Sequence, residues 1–252
     1  MNRVAFVTGG GTGIGRGIAL ELAKAGYDVA VHCHSSTGGA DSVADEIRAM
    51  GRKCAVLTAD LSKVSQIKAL FAQFDREFDR LDLFVNNAGV TLKSPFLETT
   101  EETFDRICGV DYKGAYFAMQ AAARRMVAKQ IRGSIVVISS NNDRAHFADV
   151  SVYGSTKAAL AKLAGHIAIE LAQYGIRVNT VAPGWTDTGS ARLDDPGSTY
   201  YKVPLQRWTT PAEIGQAVLY LSGDYAKSIT GTELTVDGGA LLVCDKRERY
   251  GF

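Results

Sequence analysis

Short apolar runs alternate with stretches of helical period along most of the chain. The first apolar run covers residues 3–8, a glycine-rich turn follows it, and a helical pattern then continues to Gly26. The alternation from Asp28 to Cys33 predicts a second strand, and a further helical pattern ends at Gly51. The same cycle continues, with predicted strands at 54–57, 81–85, 134–138 and 177–181 and predicted helices at 62–78, at 152–173 and, as a pair, within 100–129.

Strands that alternate with helices of this length indicate βαβ units, a parallel sheet and right-handed crossovers. The predicted fold class is therefore α/β, with a doubly wound parallel sheet. No Pro/Ser-rich linker or low-complexity tract divides residues 1–252 into two domains. The least regular segment, about 183–210, holds three of the five prolines. A connection of that length is typical of a substrate lid or binding loop, and a plain surface loop is the alternative.

The composition argues against several classes of function. Apolar residues make up 46% and charged residues 22% of the chain, as in ordinary globular enzymes. The formal net charge is +1, and no run of Lys and Arg resembles a nucleic-acid stripe or a polybasic membrane patch. The four cysteines, which lie far apart and form no CxxC pair, indicate reduced thiols. We therefore expect a cytoplasmic protein that binds neither nucleic acid nor membranes and holds no metal.

A glycine-rich turn, Thr8-Gly9-Gly10-Gly11-Thr12-Gly13-Ile14-Gly15, joins the first predicted strand to the first predicted helix. Glycine permits positive φ and lets the backbone approach a pyrophosphate without a Cβ in the way. The helix N-terminus adds free N–H groups and the positive end of a dipole. In this context the turn predicts a dinucleotide site. The expected contacts are Gly9, Thr12, Gly13, Ile14 and Gly15.

The end of the second strand bears on the choice between NAD and NADP. An acidic residue there would hydrogen-bond the ribose hydroxyls and repel a 2′-phosphate. The strand ends His32-Cys33-His34-Ser35 without an acid, and Asp28 lies at its start. His34 and Ser35 could donate to a phosphate, and His34 would gain charge on doing so. This favours NADP (NADPH), while NAD stays possible because no Arg or Lys lies at this tip; alternatively, both histidines are ordinary strand residues and specificity is loose.

The order and spacing of several motifs resemble the classical short-chain dehydrogenase/reductase family over about residues 3–239. The motifs are Thr8-Gly9-x-x-x-Gly13-Ile14-Gly15, Asp60-Leu61, Asn86-Asn87-Ala88-Gly89, Ser140, Tyr153-x-x-x-Lys157, Pro183-Gly184 and Asp237-Gly238-Gly239. The resemblance implies a Rossmann-like single domain and an NAD(P)-dependent oxidoreductase that interconverts a small carbonyl compound and its alcohol. It also implies further cofactor contacts: Asp60 and Leu61 by the adenine, Asn87, Ala88 and Gly89 in the cleft, and Pro183, Gly184, Thr186 and Thr188 at the carboxamide.

The resemblance assigns the proton transfer to Ser140, Tyr153 and Lys157. Tyr153 and Lys157 are four residues apart on one predicted helix, so both point the same way. A free tyrosine ionises far above neutral pH, and a nearby ammonium and an oxidised nicotinamide both favour the phenolate. We expect Tyr153 to act as the acid in reduction and the base in oxidation, and Lys157 to assist it and hold the cofactor ribose. Ser140, or alternatively Ser139, would hydrogen-bond the substrate oxygen.

One position departs from the family pattern. The family usually has Asn-x-Lys-Gly before the active site. In the family, a water bound at the asparagine position links the catalytic lysine to solvent. This chain reads Asp111-Tyr112-Lys113-Gly114. An ionised Asp111 accepts hydrogen bonds but cannot donate one, and its charge would stabilise Lys157 as an ammonium. We expect the protein to be active with an altered pH profile. Alternatively, the backbone carbonyl of Asp111 fills the role of this position and the side chain is incidental.

These motifs do not identify the substrate, because proteins of one fold catalyse many different reactions. Arg144 and His146 would suit a polar or anionic substrate or belong to a solvated loop. Trp185, Tyr200, Tyr201 and Trp208, in or beside the irregular segment, could stack on a ring or sugar or simply cover apolar surface.

Alternatives to a general carbonyl reductase are a 3-oxoacyl thioester reductase, a polyol or sugar dehydrogenase and, from another class, a non-catalytic dinucleotide sensor. Sensors usually lose the Tyr/Lys pair, which this chain retains. The tail from 240 to 252 is apolar and then charged, and such tails can pack between subunits. The resemblance therefore also implies a homotetramer or homodimer.

Overall fold

Parallel strands form one sheet in the computed structural model, which describes residues 2–35, 37–189 and 203–242. The strands are β1 (Val4–Val7), β2 (Asp28–Cys33), β3 (Cys54–Thr58), β4 (Leu83–Asn86), β5 (Ser134–Ile138), β6 (Arg177–Pro183) and β7 (Glu233–Val236). Their order is β3-β2-β1-β4-β5-β6-β7. The chain steps outward from β1 to β3, returns beside β1 with β4 and then steps outward to β7. This is a doubly wound, Rossmann-like sheet, in which the order of the parallel strands reverses between β1 and β4.

Helices cover both faces of the sheet. They are α1 (Gly13–Lys24), α2 (Gly38–Ala49), α3 (Val64–Glu77), α4 (Glu101–Cys108), α5 (Ala115–Ala128), α6 (Ser151–Ala172) and α7 (Pro211–Ser222). Helices α1, α2 and α7 pack on one face, and α3, α5 and α6 pack on the other. A π-helical segment, Gly109–Gly114, joins α4 to α5. Among the helices described, none is long and apolar enough to cross a membrane.

The central strand β1 supplies both hydrophobic cores. Its side chains alternate between the two faces, so Phe6 enters one core while Ala5 and Val7 enter the other. A strand that is buried on both faces must be apolar throughout, which explains the continuous apolar run at the start of the sequence. The ring of Phe6 lies 5.3 Å from that of Phe71, 5.2 Å from that of Phe74 and 5.6 Å from that of Phe84, measured between centroids.

The predicted α/β fold class is confirmed, with differences at the boundaries. The fourth strand begins at Leu83 rather than residue 81, and β6 continues to Pro183 instead of stopping at 181. The strand β7 and the helix α7 were not predicted. β7 has only four half-buried residues, so its apolar alternation is too short to detect. Helix α7 does carry a local signal, because Thr210 and Glu213 form a capping box around its start.

The irregular segment is described at its two ends. Thr186 forms an isolated bridge with Thr209, and the rings of Trp185 and Trp208 stack with centroids 6.0 Å apart. Residues 190–202, which include Pro196, Tyr200 and Tyr201, lie outside the described residues. The same holds for residues 243–252 of the tail, with Cys244 among them.

Replacing Phe6 with alanine should lower the free energy of unfolding by about 3–5 kcal/mol, because it leaves a cavity among three other rings. Urea unfolding followed by circular dichroism measures this loss. The matched control is Tyr225→Ala, since the Tyr225 side chain is 92% exposed. That control should change the free energy by less than about 0.5 kcal/mol. Equal losses in the two variants would show that Phe6 is not central to the core.

Candidate functional site

The carboxyl ends of β1 and β4 are joined at the point where the strand order reverses. The Thr8 hydroxyl accepts the backbone N–H groups of Asn87 and Ala88 at 2.9 and 3.0 Å and donates to the Val85 carbonyl at 3.3 Å. The Asn87 side-chain amide in turn donates to the carbonyls of Thr8 and Gly9. These bonds fix the glycine turn against the loop after β4, where open α/β sheets bind ligands.

The glycine turn has room only for backbone at its centre. Gly9 and Gly13 have φ of +63° and +50°, a left-handed conformation that favours glycine. A Cβ on Gly15 would lie 2.1 Å from the Gly9 carbonyl oxygen and 2.6 Å from the Asn87 amide nitrogen. The turn therefore forms the close backbone cradle that a pyrophosphate requires beside a helix N-terminus.

A cavity of about 940 Å³ opens in front of this turn. A cavity of this volume, beside a helix N-terminus and a cradle without Cβ atoms, fits a dinucleotide. The predicted residues in its wall are Gly9, Thr12, Gly13, Ile14, Gly15, His34, Asp60, Leu61, Asn87, Ala88, Gly89 and Thr188. Sequence reasoning missed further wall residues, which are His32, Ala59, Ser62, Val90, Glu102, Asp105, Arg106 and Val110.

The end of β2 presents an exposed imidazole to this cavity. His34 lines the wall, and its Nδ1 lies 3.4 Å from the hydroxyl of the exposed Ser35, which is not itself a wall residue. Asp28 lies at the opposite end of β2, where its carboxylate accepts the Lys53 backbone N–H at 2.9 Å. The strand end near the cavity therefore carries no carboxylate of its own.

His32 is the most informative of the missed wall residues. Its buried ring accepts the Gly9 N–H at Nδ1, at 3.2 Å, and its Nε2 lies 3.0 Å from the Ala59 carbonyl oxygen. Burial lowers the pKa of His32 to about 4, so the ring is neutral and Nε2 carries the proton that it donates to Ala59. The ring thus ties the glycine turn to the end of β3. The sequence signal for this contact is a histidine within an otherwise apolar strand.

Asp60 and Leu61 follow β3 as predicted. The Asp60 carboxylate accepts the hydroxyl of Ser62 at 2.7 Å and its backbone N–H at 3.0 Å. These hydrogen bonds lower the pKa of Asp60, so it is a carboxylate at neutral pH. Leu61 is buried, and its carbonyl oxygen would lie 2.5 Å from a Cβ on Gly114. The loop after β3 is thereby packed directly against the π-helical segment.

The three predicted reacting residues lie on two adjoining elements. Ser140 follows β5, and its hydroxyl accepts the backbone and side-chain N–H groups of Asn142 at 3.2 and 3.3 Å. Gly154 packs on the same turn, because a Cβ there would lie 3.3 Å from the Asn142 carbonyl oxygen. The first turn of α6, with Tyr153, is therefore beside the turn after Ser140. The Lys157 ammonium lies 5.4 Å from the centroid of the Tyr153 ring.

Asp111 lies on the other side of Lys157. Its Oδ1 accepts the Val90 N–H at 2.7 Å, and its Oδ2 lies 3.4 Å from the Lys157 ammonium. Both side chains are at most 5% exposed. Burial raises the pKa of Asp111, and the positive charge of Lys157 opposes that rise. A Cβ on Gly89 would come within 2.9 Å of Oδ2, so a glycine at this position leaves space beside the pair.

The segment predicted to cover the carboxamide begins where β6 ends. Pro183 is buried, and Gly184 packs so closely on Asp237 that a Cβ would lie 2.5 Å from the Asp237 Cβ. The Thr186 hydroxyl donates to the Gly184 carbonyl at 3.1 Å. Thr188 reaches the cavity wall beside Gly13, whereas Pro183, Gly184 and Thr186 do not line that cavity.

The residues suggested for substrate contact differ in their surroundings. The Arg144 guanidinium is held by Glu233 at 2.6 Å and by Asp143 at 3.5 Å, so its charge is already paired. His146 is exposed. Trp185, besides stacking on Trp208, meets the ring of Phe147 edge-on with centroids 6.1 Å apart.

Comparisons with known proteins agree with this architecture. A family model described as Enoyl-(Acyl carrier protein) reductase matches residues 9–240. The 3-oxoacyl-(acyl-carrier-protein) reductase FabG of Staphylococcus aureus is 36% identical over 247 residues, covering 96% of this chain and 99% of that protein. The crystal structure of acetoin dehydrogenase from Enterobacter cloacae has a TM-score of 0.85 and 37% identity, covering 96% of this chain and 97% of that one. Acetoin dehydrogenase YohF from Salmonella typhimurium has a TM-score of 0.88 and 33% identity over the same shares.

These matches span nearly the whole chain in both sequence and structure. The chain belongs to the classical short-chain dehydrogenase/reductase family of oxidoreductases, which use a nicotinamide dinucleotide cofactor.

Proposed function

We propose that this oxidoreductase uses NADPH to reduce a small carbonyl compound, or NADP to oxidise the corresponding alcohol. The observation that carries the proposal is the buried Lys157 ammonium beside the Tyr153 ring, on a helix turn that adjoins Ser140. A tyrosine beside a fixed ammonium and a serine hydroxyl can exchange its proton with a substrate oxygen. A non-catalytic sensor would have no use for that arrangement.

Each residue has a distinct role in the proposed reaction. A bound nicotinamide supplies the hydride in reduction and accepts it in oxidation. Tyr153 gives its phenolic proton to the carbonyl oxygen and takes it back in oxidation, while Ser140 donates a hydrogen bond to the same oxygen. Lys157 holds its ammonium beside the Tyr153 ring and would bind the ribose of the cofactor. The Ser139 hydroxyl is engaged with Asp143 at 3.1 Å, which favours Ser140 over Ser139 for this role.

The preference for NADPH rests on the end of β2. A 2′-phosphate at this position would meet His34 and Ser35 rather than a carboxylate, and an imidazolium attracts a phosphate. NAD is the alternative cofactor, because no Arg or Lys lies at this strand end to bind a 2′-phosphate. The wider cofactor contacts proposed are the predicted ones around the glycine turn, Asp60, Leu61, Asn87 to Gly89 and Pro183 to Thr188.

Two substrate classes are supported by the relatives. The relatives from Enterobacter cloacae and Salmonella typhimurium bear the name acetoin dehydrogenase, which favours a small ketone or hydroxyketone here. The second candidate is a 3-oxoacyl thioester, favoured by the 36% identity with the FabG reductase. The proposed aromatic contacts, Trp185 and Trp208, suit the apolar part of either substrate. A polyol or sugar is a third class to test.

We further propose a homotetramer or homodimer in the cytoplasm. An apolar groove of about 640 Å³ lies between α4 and α6 and is lined by Phe96, Phe104 and Tyr112. Phe96 is 80% exposed and its neighbour Leu97 is 94% exposed, so a second copy would cover unusual apolar surface. Three cysteines in the described part of the chain are free thiols, which suits a reducing compartment.

The parent protein should oxidise NADPH faster than NADH with at least one member of a panel of ketones, sugars, quinones and acyl thioesters. Tyr153→Phe removes the proton donor and should lower kcat by about 10²–10⁴-fold. Loss of reduced-nicotinamide absorbance measures both effects. Tyr225→Phe, the same change at an exposed ring, is the control and should match the parent. Equal rates in parent and Tyr153→Phe would overturn the proposed mechanism, and faster turnover with NADH would overturn the cofactor assignment.

Asp111→Asn should keep the acceptor for Val90 but remove the negative charge beside Lys157. The ammonium then favours the Tyr153 phenolate more strongly, so the rise of alcohol oxidation with pH should move down by on the order of one pH unit. The measurement is kcat against pH in the oxidation direction. Asp45→Asn, at a side chain that is 78% exposed, is the control. An unchanged rate and pH profile would mean that the Asp111 side chain is incidental and the backbone carbonyl carries its role.

Light scattering should give a mass of two or four chains for the parent protein. Phe104→Glu places a charge in the apolar groove and should shift the mass toward a single chain, because burying an unpaired carboxylate is unfavourable. Met50→Glu, at the exposed end of α2, is the matched control and should leave the mass unchanged. A single-chain mass for the parent would refute the proposed oligomer.

A further inference from the structure

A polar cluster lies next to the proposed reacting residues and takes no part in the mechanism above. It consists of Ser139, Asp143, Arg144 and Glu233, and we call it the Glu233 cluster. Ser139 directly precedes Ser140, and Asp143 ends the short 3₁₀ turn Asn141–Asp143, whose N-cap residue is Ser140. Glu233 is the first residue of β7. The cluster therefore connects the turn after Ser140 to the last strand of the sheet.

The contacts within the cluster are short and converge on two carboxyl groups. The Ser139 hydroxyl lies 3.1 Å from Asp143 Oδ2 and 3.5 Å from Glu233 Oε2. The Arg144 guanidinium lies 2.6 Å from Glu233 Oε1 and 3.5 Å from Asp143 Oδ1. It also donates a hydrogen bond to the Thr235 hydroxyl on β7. Both carboxyl groups therefore contact the same hydroxyl, that of Ser139, and the same guanidinium, that of Arg144.

The charges in this cluster do not balance when both carboxyl groups are ionised. One guanidinium faces two carboxylates, and the Asp143 and Glu233 side chains are only 3% and 21% exposed. The Ser139 hydroxyl is a further polar group that faces Glu233, and the Thr235 hydroxyl accepts a hydrogen bond from the same Arg144 guanidinium. Two partly buried carboxyl groups that share one guanidinium and one hydroxyl favour a state in which they also share one proton.

We propose that Glu233 is a positioning residue for the reaction assigned above, holding the turn that presents Ser140 through a proton shared with Asp143 and an ion pair with Arg144. The inference rests on the proposed function for the role of Ser140. Without the shared proton the two carboxylates repel each other, and the turn after Ser140 is no longer held against β7. The Ser140 hydroxyl, whose place is set by Asn142 in the same turn, is then held less firmly.

The direction of the pH effect follows from the state of Glu233. Burial, and to a smaller degree Asp143, raise the pKa of Glu233 from 4.5 to about 7 in the folded protein. A raised folded pKa means that the folded state binds the proton more tightly than the unfolded chain. The stabilisation is complete below about pH 4.5 and is lost as the pH rises through about 7.

Melting temperatures of the parent and Glu233→Gln between pH 5 and 9 test the shared proton without any assay of activity. Glutamine keeps a donor for Asp143 but cannot ionise, so the parent should lose at least about 2–4 °C relative to the variant between pH 5 and 8. Glu170→Gln, at an exposed carboxylate on α6, is the control and should follow the parent. A constant difference between parent and Glu233→Gln at every pH would overturn the proposal.

Arg144→Gln provides a second test that does not depend on the folding of Glu233→Gln. The guanidinium lowers the pKa of Glu233, so its removal should move the loss of melting temperature to higher pH by on the order of one unit. A loss at the same pH as in the parent would contradict the cluster. Either result is independent of whether the protein reduces any compound of the panel.

Kinetics then separate positioning from a merely structural role. Between pH 7 and 8 the parent should lose up to about tenfold in kcat/KM for the carbonyl substrate relative to Glu233→Gln. The affinity for NADPH, measured by tryptophan fluorescence, should be the same in both proteins because the cluster does not line the cofactor cavity. Parallel pH profiles, or a changed NADPH affinity, would refute the positioning role. No turnover by the parent, with the melting behaviour as expected, would instead refute the proposed function.

Discussion

The hydroxyl group of Thr8 joins the two halves of the doubly wound sheet. It binds two N–H groups from the loop after β4 while its own proton goes to the Val85 carbonyl. Leaving such buried donors without a partner costs about 1–3 kcal/mol each, so the hydroxyl holds the two loops in one relative position. These hydrogen bonds set the positions of the glycine turn, the Asn87 amide and the mouth of the cavity. The site therefore depends on a side chain that need not touch a ligand itself.

The buried polar groups around the cavity are either neutral or paired. His32 is neutral and bonded at both nitrogens, and Lys157 faces Asp111 at 3.4 Å. Burying an ion pair gives little net stability, because both charges lose their hydration. For the reaction proposed above, the value of this pair would lie in holding an ammonium in a fixed place beside Tyr153 before any ligand binds. Fixed charges of this kind need no reorganisation during a reaction.

The fold and the centre of the site were accessible from sequence because their signals are local. Glycines at forced backbone positions mark the turn, and the spacing of Tyr153 and Lys157 places them on one helix face. His32 was missed because its partners lie 23 and 27 residues away, and Glu233 because it lies 94 residues from Ser139. No short pattern encodes such pairs. The four-residue strand that carries Glu233 is likewise too short to predict, and it forms only by pairing with β6.

The π-helical segment has a consequence for how this chain can change. A π-turn holds one more residue than an α-turn, and such turns in proteins frequently accompany functional sites. Deleting one residue between Asp111 and α5, from Tyr112 to Gly114, would restore a regular helix and rotate what precedes the deletion by about 100° relative to α5. Asp111 would then leave Lys157, and α4 would turn a different face to α6. A change of length in this segment therefore displaces whole elements, whereas a substitution acts only at its own position, and the separation between Asp111 and α5 is a fixed dimension of the candidate site.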